Sequence, residues 1–276
     1  MKAIPGVRPA AVSGMFYPGD PDELKRDISS LLLQARGKRR EGIIRGIISP
    51  HAGYQYSGFT AANAYALLQG VKYETVVVVS PSHREYFDGV SVFPGEAYET
   101  PLGTVPLDTE LRERLKCETP IVAVSGSGHG EEHAIEVQLP FLQHVLHQFL
   151  LLPIVIGNQD RKYCFGLGEA LAKVLSGSNY LLVASTDLSH YHSSDAANAL
   201  DKTVIDDVAA FDYERMMIGL EAGTTEACGG GPTVAVMVAL QRLGVKSIDV
   251  LHHCNSGDIT GDRNRVVGYL SAVAYE

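Results

Sequence analysis

Apolar runs rich in β-branched residues alternate with helical patterns along all 276 residues of the chain. The runs lie at 43–48, 76–80, 90–93, 121–124, 151–156, 180–184, 247–251 and 266–274, and several resemble strands that are buried on both faces. Helical patterns lie between them at 21–36, 58–68, 131–149, 162–175, 194–211, 213–220 and 232–243. This alternation predicts an α/β fold with a mixed, mostly parallel central sheet flanked by helices on both faces.

The composition indicates one large core. Apolar residues make up 45% of the sequence and charged residues 20%, which is typical of a globular protein. No linker rich in Pro, Gly or Ser interrupts the pattern. We therefore expect a single domain over residues 1–276.

Charge and hydropathy exclude several classes of partner. The net charge of −9 argues against a nucleic-acid binder, since such proteins concentrate Lys and Arg. No apolar run reaches the roughly 18 residues of a membrane span, and the first 14 residues lack the apolar stretch of a signal peptide. The four cysteines form no CxxC pair, which favours free thiols in a reducing compartment. We expect a cytoplasmic protein that binds neither nucleic acid nor membrane.

Three of the apolar runs end in a polar turn that carries a histidine. His51 follows the run at 43–48, His83 follows the run at 76–80, and His190 follows the run at 180–184. The carboxyl ends of strands in an open α/β sheet form the crevice where ligands bind, so these histidines are expected to converge. A single such histidine is more often a buried side chain with satisfied hydrogen bonds, but three in one context favour a metal site.

Cys228 is a further candidate ligand. It lies in a glycine-rich turn directly ahead of a predicted helix, where free backbone N–H groups and the helix dipole favour a thiolate. A thiolate is the form that binds metals; the alternative is a buried structural thiol. The sequence thus predicts that His51, His83, His190 and Cys228 gather around a metal ion.

Other titratable residues have weaker patterns. His133 and Glu136 are three positions apart, on one face of the predicted helix, and are candidates to act together on a substrate. This spacing differs from the HExxH of zinc peptidases. Asp187 precedes His190 by three residues and is either the group that orients its ring or a cap of the turn. The run 252–254, His-His-Cys, lies in a predicted strand, where consecutive side chains point to opposite faces and cannot all bind one ion.

Several motifs together resemble the Memo family, also called AmmeMemoRadiSam system protein B. They are VSGMFYP at 12–18, PHAGY at 50–54, PSH at 81–83, TPLG at 100–103, HAIE at 133–136, STD at 185–187 with His190, and CG at 228–229. The resemblance implies a fold similar to the LigB-type class III extradiol dioxygenases, which open catechol rings with non-haem Fe(II). It also implies that His51, His83 and Cys228 are the ligands, with a thiolate in place of the glutamate of those dioxygenases.

By the same resemblance, His190 occupies the position of the acid/base histidine, and Asp187 and His133 line the same cavity. Fe(II) suits two histidines and one anionic ligand, and the softer sulfur also admits Cu or Zn. The resemblance therefore predicts a non-haem iron oxidoreductase acting on a small aromatic molecule. The alternatives are a non-catalytic module that binds a peptide or metabolite beside a structural or sequestered metal, and a zinc-assisted hydrolase. The family's name also suggests a radical SAM enzyme and an AMMECR-type protein as partners.

Overall fold

A computed structural model describes residues 6–35, 38, 41–146 and 148–276. In this part of the chain the strands are β1 (Val7–Arg8), β2 (Ile44–Ser49), β3 (Thr75–Pro81), β4 (Val90–Val92), β5 (Ala97–Thr100), β6 (Gly103–Pro106), β7 (Val122–Val124), β8 (Leu150–Ile156), β9 (Tyr180–Ser185), β10 (His190–His192), β11 (Ser247–Asn255) and β12 (Val266–Tyr275). The α-helices are α1 (Pro21–Gln34), α2 (Tyr54–Tyr65), α3 (Thr109–Glu118), α4 (Leu139–Val145), α5 (Arg161–Leu175), α6 (Ser194–Ala209), α7 (Tyr213–Ala222), α8 (Gly230–Arg242) and α9 (Ser256–Thr260). Short 3-10 helices span Ala66–Leu68 and Glu136–Gln138.

The main sheet has nine strands in the order β10-β12-β2-β9-β3-β8-β4-β7, with β11 paired to β12. Strands β2, β9, β3 and β8 run parallel to one another, and β4 pairs parallel with β7. The pairs of β12 with β2, β10 and β11, and of β4 with β8, are antiparallel. A small separate sheet joins β1, β5 and β6. The predicted α/β class, with a mixed and mostly parallel sheet, is confirmed.

Helices cover both faces of this sheet, so its central strands are apolar at consecutive positions. In β3, Val76 and Val78 pack on the side of α1, α2 and α4, whereas Val77 and Val79 pack on the side of α3 and α5 to α8. All four valines are 0% exposed. Burying each such side chain contributes roughly 1.5–3 kcal/mol, so the strand is anchored from both sides.

The predicted helix over 131–149 is wrong at its start. Residues 131–135 are not helical, and regular α-helix begins only at Leu139. The cause is side-chain competition for the backbone: Glu132 accepts the N–H groups of His133 and Ala134, and Arg8 binds nearby carbonyl groups. Helix α3 and strands β1, β5 and β6 were not predicted. Helix α1 ends at Gln34, and Arg36, the predicted end, lies outside the described residues.

The strand order determines where the predicted site lies. Strands β2, β9 and β3 are neighbours and parallel, so their carboxyl ends share one edge of the sheet. The turns that follow carry His51, Asp187 with His190, and His83. Separately, no α-helix among the described residues combines the length and apolar character that crossing a membrane requires.

Candidate functional site

Three predicted ligands converge at this edge of the sheet. One ligand atom each from His51, His83 and Cys228 lies within 4.8 Å of the others. The Sγ atom of Cys228 is 3.1 Å from Nε2 of His51, and the rings of His51 and His83 are 5.1 Å apart. His51 is buried, whereas the His83 side chain is 28% exposed. The expected convergence is therefore found for three of the four predicted residues; His190 is not in this group, and metal binding stays a prediction.

The hydrogen bonds of Ser185 determine the tautomer of His51. Ser185 Oγ lies 2.7 Å from the carbonyl oxygen of Ala134, which can only accept, so its single proton is donated there. It then accepts from Nδ1 of His51 at 2.9 Å and from the amide of Gln138 at 2.8 Å. Nδ1 of His51 therefore carries the proton, and the lone pair of Nε2 faces Cys228.

Glu132 orients His83 in the same sense. Its Oε1 lies 2.9 Å from Nδ1 of His83, and its Oε2 accepts the backbone N–H of His83 at 2.5 Å. Burial opposes ionisation of Glu132, but these hydrogen bonds from the ring and backbone of His83 help to outweigh it and lower the pKa of Glu132 to about 2. Because Nδ1 of His83 is hydrogen-bonded to a carboxylate, Nε2 is the nitrogen that remains to coordinate a metal, as in carboxylate–histidine–metal arrangements.

The turn before α8 fixes Cys228 against the end of β9. The backbone N–H of Cys228 donates to the Asp187 carbonyl at 3.2 Å, and the Asp187 N–H donates to Sγ at 3.2 Å. The next residue must be glycine, because a Cβ on Gly229 would lie 2.1 Å from the carbonyl oxygen of Ser185. The Gln159 amide also donates to the Cys228 carbonyl at 2.8 Å, and these contacts together point the thiol at His51.

The expected thiolate is not favoured by the protein itself. Burial, and then the Asp187 carboxylate, raise the pKa of Cys228. Helix α8 begins at Gly230, two residues beyond the thiol, and its N-terminus does not overcome the desolvation. A bound cation would supply the missing positive charge, since metal coordination deprotonates a thiol.

The donor set fits a transition metal. Burial, and then His83, lower the pKa of His51 to about 3, so its ring is neutral at pH 7. A neutral imidazole with Nδ1 protonated is the form that binds metal through Nε2. Two nitrogens and one sulfur are suitable for Fe(II), Cu or Zn, and would leave coordination positions open on the cavity side.

His133 lies beside the three candidate ligands, although not on the helix predicted for it. Its ring stacks on that of His83 at 4.8 Å and meets that of His51 at 5.3 Å. Burial, and then His51, lower its pKa to about 4. His83, Glu132 and His133 form a second group within 4.8 Å. Because Glu132 already accepts several N–H groups, we interpret it as a positioning residue.

Asp187 and His190 line the same cavity, but of the two alternatives for Asp187, orientation of the His190 ring is not found. Nδ1 of His190 lies 2.7 Å from the carbonyl oxygen of Leu188, so this backbone group, rather than Asp187, orients the ring. Asp187 instead accepts the backbone N–H of His51 at 2.8 Å. Burial raises the pKa of Asp187. His190 therefore presents a basic Nε2 in the same cavity as the Asp187 carboxyl group.

Glu136 is not brought into this group. Its carboxylate pairs with Arg8 and accepts from the N–H groups of Ala11 and Val12 and from the hydroxyl of Tyr17. Glu136 is 0% exposed, and its partners all belong to the N-terminal segment. The expectation that it acts with His133 from one helix face is wrong, because His133 precedes the helical turn. Its contacts indicate a structural role.

Arg8 connects that segment to the site. Its guanidinium donates to the carbonyl groups of His129, Gly130 and Glu132 as well as to Glu136, and it is 4% exposed. It thereby fixes the loop on which Glu132 and His133 lie. Sequence reasoning missed Arg8, Glu132 and Ser185. Ser185 could have been suspected from its place at a buried strand end, but Arg8 carries no local signal.

The cluster at 252–254 behaves as strand geometry requires. His252 and Cys254 both contact the Thr60 hydroxyl, at 3.0 and 3.2 Å. His253 points to the other side, where its Nε2 lies 3.2 Å from Asp201. His253 therefore lies on the opposite side of the strand from His252 and Cys254.

A cavity of about 740 Å³ opens over the candidate site. His51, His83, His133, Asp187 and His190 all contribute to its lining. Its volume is typical of pockets for small molecules. A ligand that enters the cavity can therefore contact these five residues.

Comparison with known proteins identifies the family. The model of the Memo-like protein family matches residues 8–273. The chain belongs to the Memo family. A MEMO1 family protein of Methanothermobacter thermautotrophicus is 38% identical over 95% of this chain and 98% of its own length. MEMO1 family proteins of Methanopyrus kandleri and Nitrosopumilus maritimus are 36% and 34% identical, each over at least 95% of this chain and 98% of their own lengths.

The Memo fold also has a distant structural neighbour. The crystal structure of an uncharacterized protein from Escherichia coli K12 superposes with a TM-score of 0.54 at 16% identity. It covers 85% of this chain and 100% of its own. Such a likeness concerns the fold alone. The match to the family model and the identity with the MEMO1 family relatives, rather than this likeness, confirm the resemblance to the Memo family predicted from sequence motifs.

Proposed function

We propose that this Memo family protein binds a transition metal through His51, His83 and Cys228 and works as a non-haem iron oxidoreductase on a small aromatic molecule. One observation carries the metal proposal: one ligand atom each of His51, His83 and Cys228 lies within 4.8 Å of the others, and the two histidines line a cavity. Hydrogen bonds at both Nδ1 atoms support it, because they leave the Nε2 lone pairs for coordination.

Fe(II), when bound, would supply redox chemistry with dioxygen; Cu would also allow redox chemistry, whereas Zn would favour hydrolysis. The chain's own residues bind and orient the substrate. His190 presents Nε2 to the cavity and would accept the proton of a phenolic hydroxyl group there. His133 and Asp187 line the same space and would bind the substrate's polar groups.

Metal analysis under anaerobic conditions tests the site. We expect about one iron per chain in the wild type, and loss of the metal in the His51→Ala, His83→Ala and Cys228→Ser variants. The matched controls are His144→Ala and Cys117→Ser, which change the same residue types away from the cavity and should keep the metal. A wild-type protein that binds no metal would contradict the proposal. Zinc in place of iron would favour the hydrolase.

Dioxygen uptake with a panel of catechols tests the reaction. His190→Ala should keep the metal and lose turnover.

The second candidate function is a non-catalytic module that binds a peptide or metabolite beside a structural or sequestered metal. Cys228 favours it, because a thiolate beside iron and dioxygen is prone to oxidation. In that case His190→Ala weakens ligand binding, and no variant shows turnover.

We also propose a cytoplasmic location, which the four free thiols support. A radical SAM enzyme and an AMMECR-type protein are proposed partners on the family resemblance alone. Co-purification of the tagged protein from its own host tests both.

A further inference from the structure

We propose that the cavity over the candidate metal site takes an aromatic ligand that carries a carboxylate, and that Arg84 and Arg265 at the cavity mouth bind this carboxylate. The inference rests on the proposed function in one respect, namely that this cavity is the ligand pocket. It adds a chemical class of ligand and two specificity-determining residues.

The lining of the cavity changes character from floor to mouth. The floor consists of the histidines and Asp187 described above. The mouth carries exposed side chains, among them Met15, which is 68% exposed, and Tyr191, which is 64% exposed. Arg84 and Arg265 line it as well, and both are exposed. A ligand that reached the floor would therefore contact apolar, aromatic and cationic groups on the way.

The two arginines are available to an anion. Among the described residues, neither Arg84 nor Arg265 has a carboxylate within ion-pair distance. Some other arginines at the surface do: Arg161 pairs with Glu214 and Glu221 at 2.8 Å, and Arg242 pairs with Glu169 at 2.8 Å. In a chain of net charge −9, carboxylate partners are abundant. Two unpaired guanidinium groups at one cavity mouth thus offer a binding site for a ligand's negative charge.

Tyr191 gives this mouth an aromatic surface. Its φ of 64° is in the left-handed region, which is strained for a bulky residue. Its ring lies 5.1 Å from the Arg265 guanidinium and 5.7 Å from the His190 ring. The exposed Tyr191 ring thus lies between the Arg265 cation and His190, the candidate base, where it is suited to contact a planar ligand.

The surrounding charges favour a carboxylate over a phosphate. Asp187 lines the same cavity at its floor and Asp262 at its mouth. These two carboxyl groups offset the attraction of the two arginines, so the second charge of a dianion gains little attraction in the cavity, while a dianion costs more to desolvate than a monoanion. The planar guanidinium fork also matches a carboxylate with two parallel hydrogen bonds.

Titration calorimetry at low salt with matched probes tests the inference. The probes are 4-hydroxybenzoate, its neutral isostere 4-hydroxybenzamide, and phenyl phosphate. We expect the carboxylate to bind about tenfold more tightly than the amide. This ratio should fall toward one in Arg84→Gln and Arg265→Gln, and the preference should weaken as salt is added. The matched control is Arg26→Gln, which removes an exposed charge on α1 outside the cavity and should keep the ratio.

Equal affinity for carboxylate and amide, or a ratio that the two variants leave unchanged, would overturn the inference. Tighter binding of phenyl phosphate would overturn the choice of carboxylate. Metal content, measured on the same samples, separates this proposal from the proposed function. A carboxylate preference without bound metal would contradict only the metal proposal, and bound metal without a preference would contradict only the ligand class.

Discussion

At the scale of single residues, three histidines of the cavity share one arrangement of their rings. Nδ1 of His51 meets Ser185, Nδ1 of His83 meets Glu132, and Nδ1 of His190 meets the Leu188 carbonyl. Each contact fixes a ring and leaves Nε2 as the available nitrogen. Two of these nitrogens belong to the candidate metal site, and the third is the candidate base.

Replacing Ser185 tests whether this arrangement matters for the metal. Ser185→Ala removes the acceptor for Nδ1 of His51, so the ring loses its fixed tautomer and orientation. We expect Kd for Co(II), measured by competition with a chromophoric chelator, to rise about 10- to 100-fold while the fold is kept. The control is Ser80→Ala, since Ser80 is equally buried near the end of β3 and contacts no histidine in the described structure. Equal affinity of both variants would refute the role of Ser185.

At this scale, the sequence predicted which residues belong to the candidate site better than it predicted the contacts that these residues make. Histidines placed after buried strands were expected to converge, and His51 and His83 do so. Glu136 was assigned to the site from a three-residue spacing that is meaningful only within a helix. The chain is not helical at His133, so the spacing gave the wrong neighbour.

At the scale of elements, the loop over 129–133 is shaped by side chains rather than by its own backbone pattern. Arg8 donates to three of its carbonyl groups, and Glu132 accepts the N–H groups of His133 and of Ala134, which follows the loop. Arg8 is remote from this loop in sequence, since it precedes His129 by 121 positions. The loop therefore depends on a buried ion pair between Arg8 and Glu136.

Breaking this ion pair should disturb both stability and the site. Arg8→Met leaves the Glu136 carboxylate buried without its cation, which typically costs about 3–5 kcal/mol of unfolding free energy. We also expect weaker metal binding, because Glu132 loses its fixed position. Urea unfolding and Co(II) titration measure the two effects.

The control is Arg45→Met, which removes a partly exposed pair with Glu276 and should cost less than about 1 kcal/mol. Glu136→Gln adds a second comparison: if Glu136 were catalytic, this variant would lose turnover while its metal affinity stayed unchanged.

The turn before α8 is a second element on which the site depends. A Cβ at residue 229 would meet the Ser185 carbonyl at 2.1 Å, so Gly229→Ala must displace the turn. We expect Cys228 to move away from His51 and the bound metal to be lost from the folded protein. Metal analysis after gel filtration measures this. Gly126→Ala is the matched control, because its Cβ would enter open space; metal retained in both variants would contradict the argument.

At the scale of the whole molecule, several histidines are buried as neutral rings. His129 is an example outside the candidate ligands: burial lowers its pKa from 6.5 to about 3. Between about pH 3 and pH 6.5, the unfolded chain therefore binds a proton at His129 that the folded chain does not bind. The stability that depends on neutral His129 is fully present above about pH 6.5 and is lost as the pH falls toward 3.

His129→Gln should reduce this acid sensitivity. Between about pH 6.5 and 4.5, the wild type should lose roughly 2–3 kcal/mol more unfolding free energy than the variant. Urea unfolding of the metal-free proteins at both pH values measures the difference. His192→Gln, which removes a surface histidine, is the control. A loss of the same size in wild type and His129→Gln would show that His129 is not the cause.

The sequence by itself determined the α/β class, the family and the residues that meet at the sheet edge. These depend on local order along the chain: apolar runs define strands, and the histidines directly follow them. The tertiary structure alone decided the partners that give these residues their chemistry. Ser185 is 134 positions from His51, and Glu132 is 49 positions from His83. Such pairs arise from the packing of β2, β9 and β3 and from the Arg8 contacts, which no local pattern encodes.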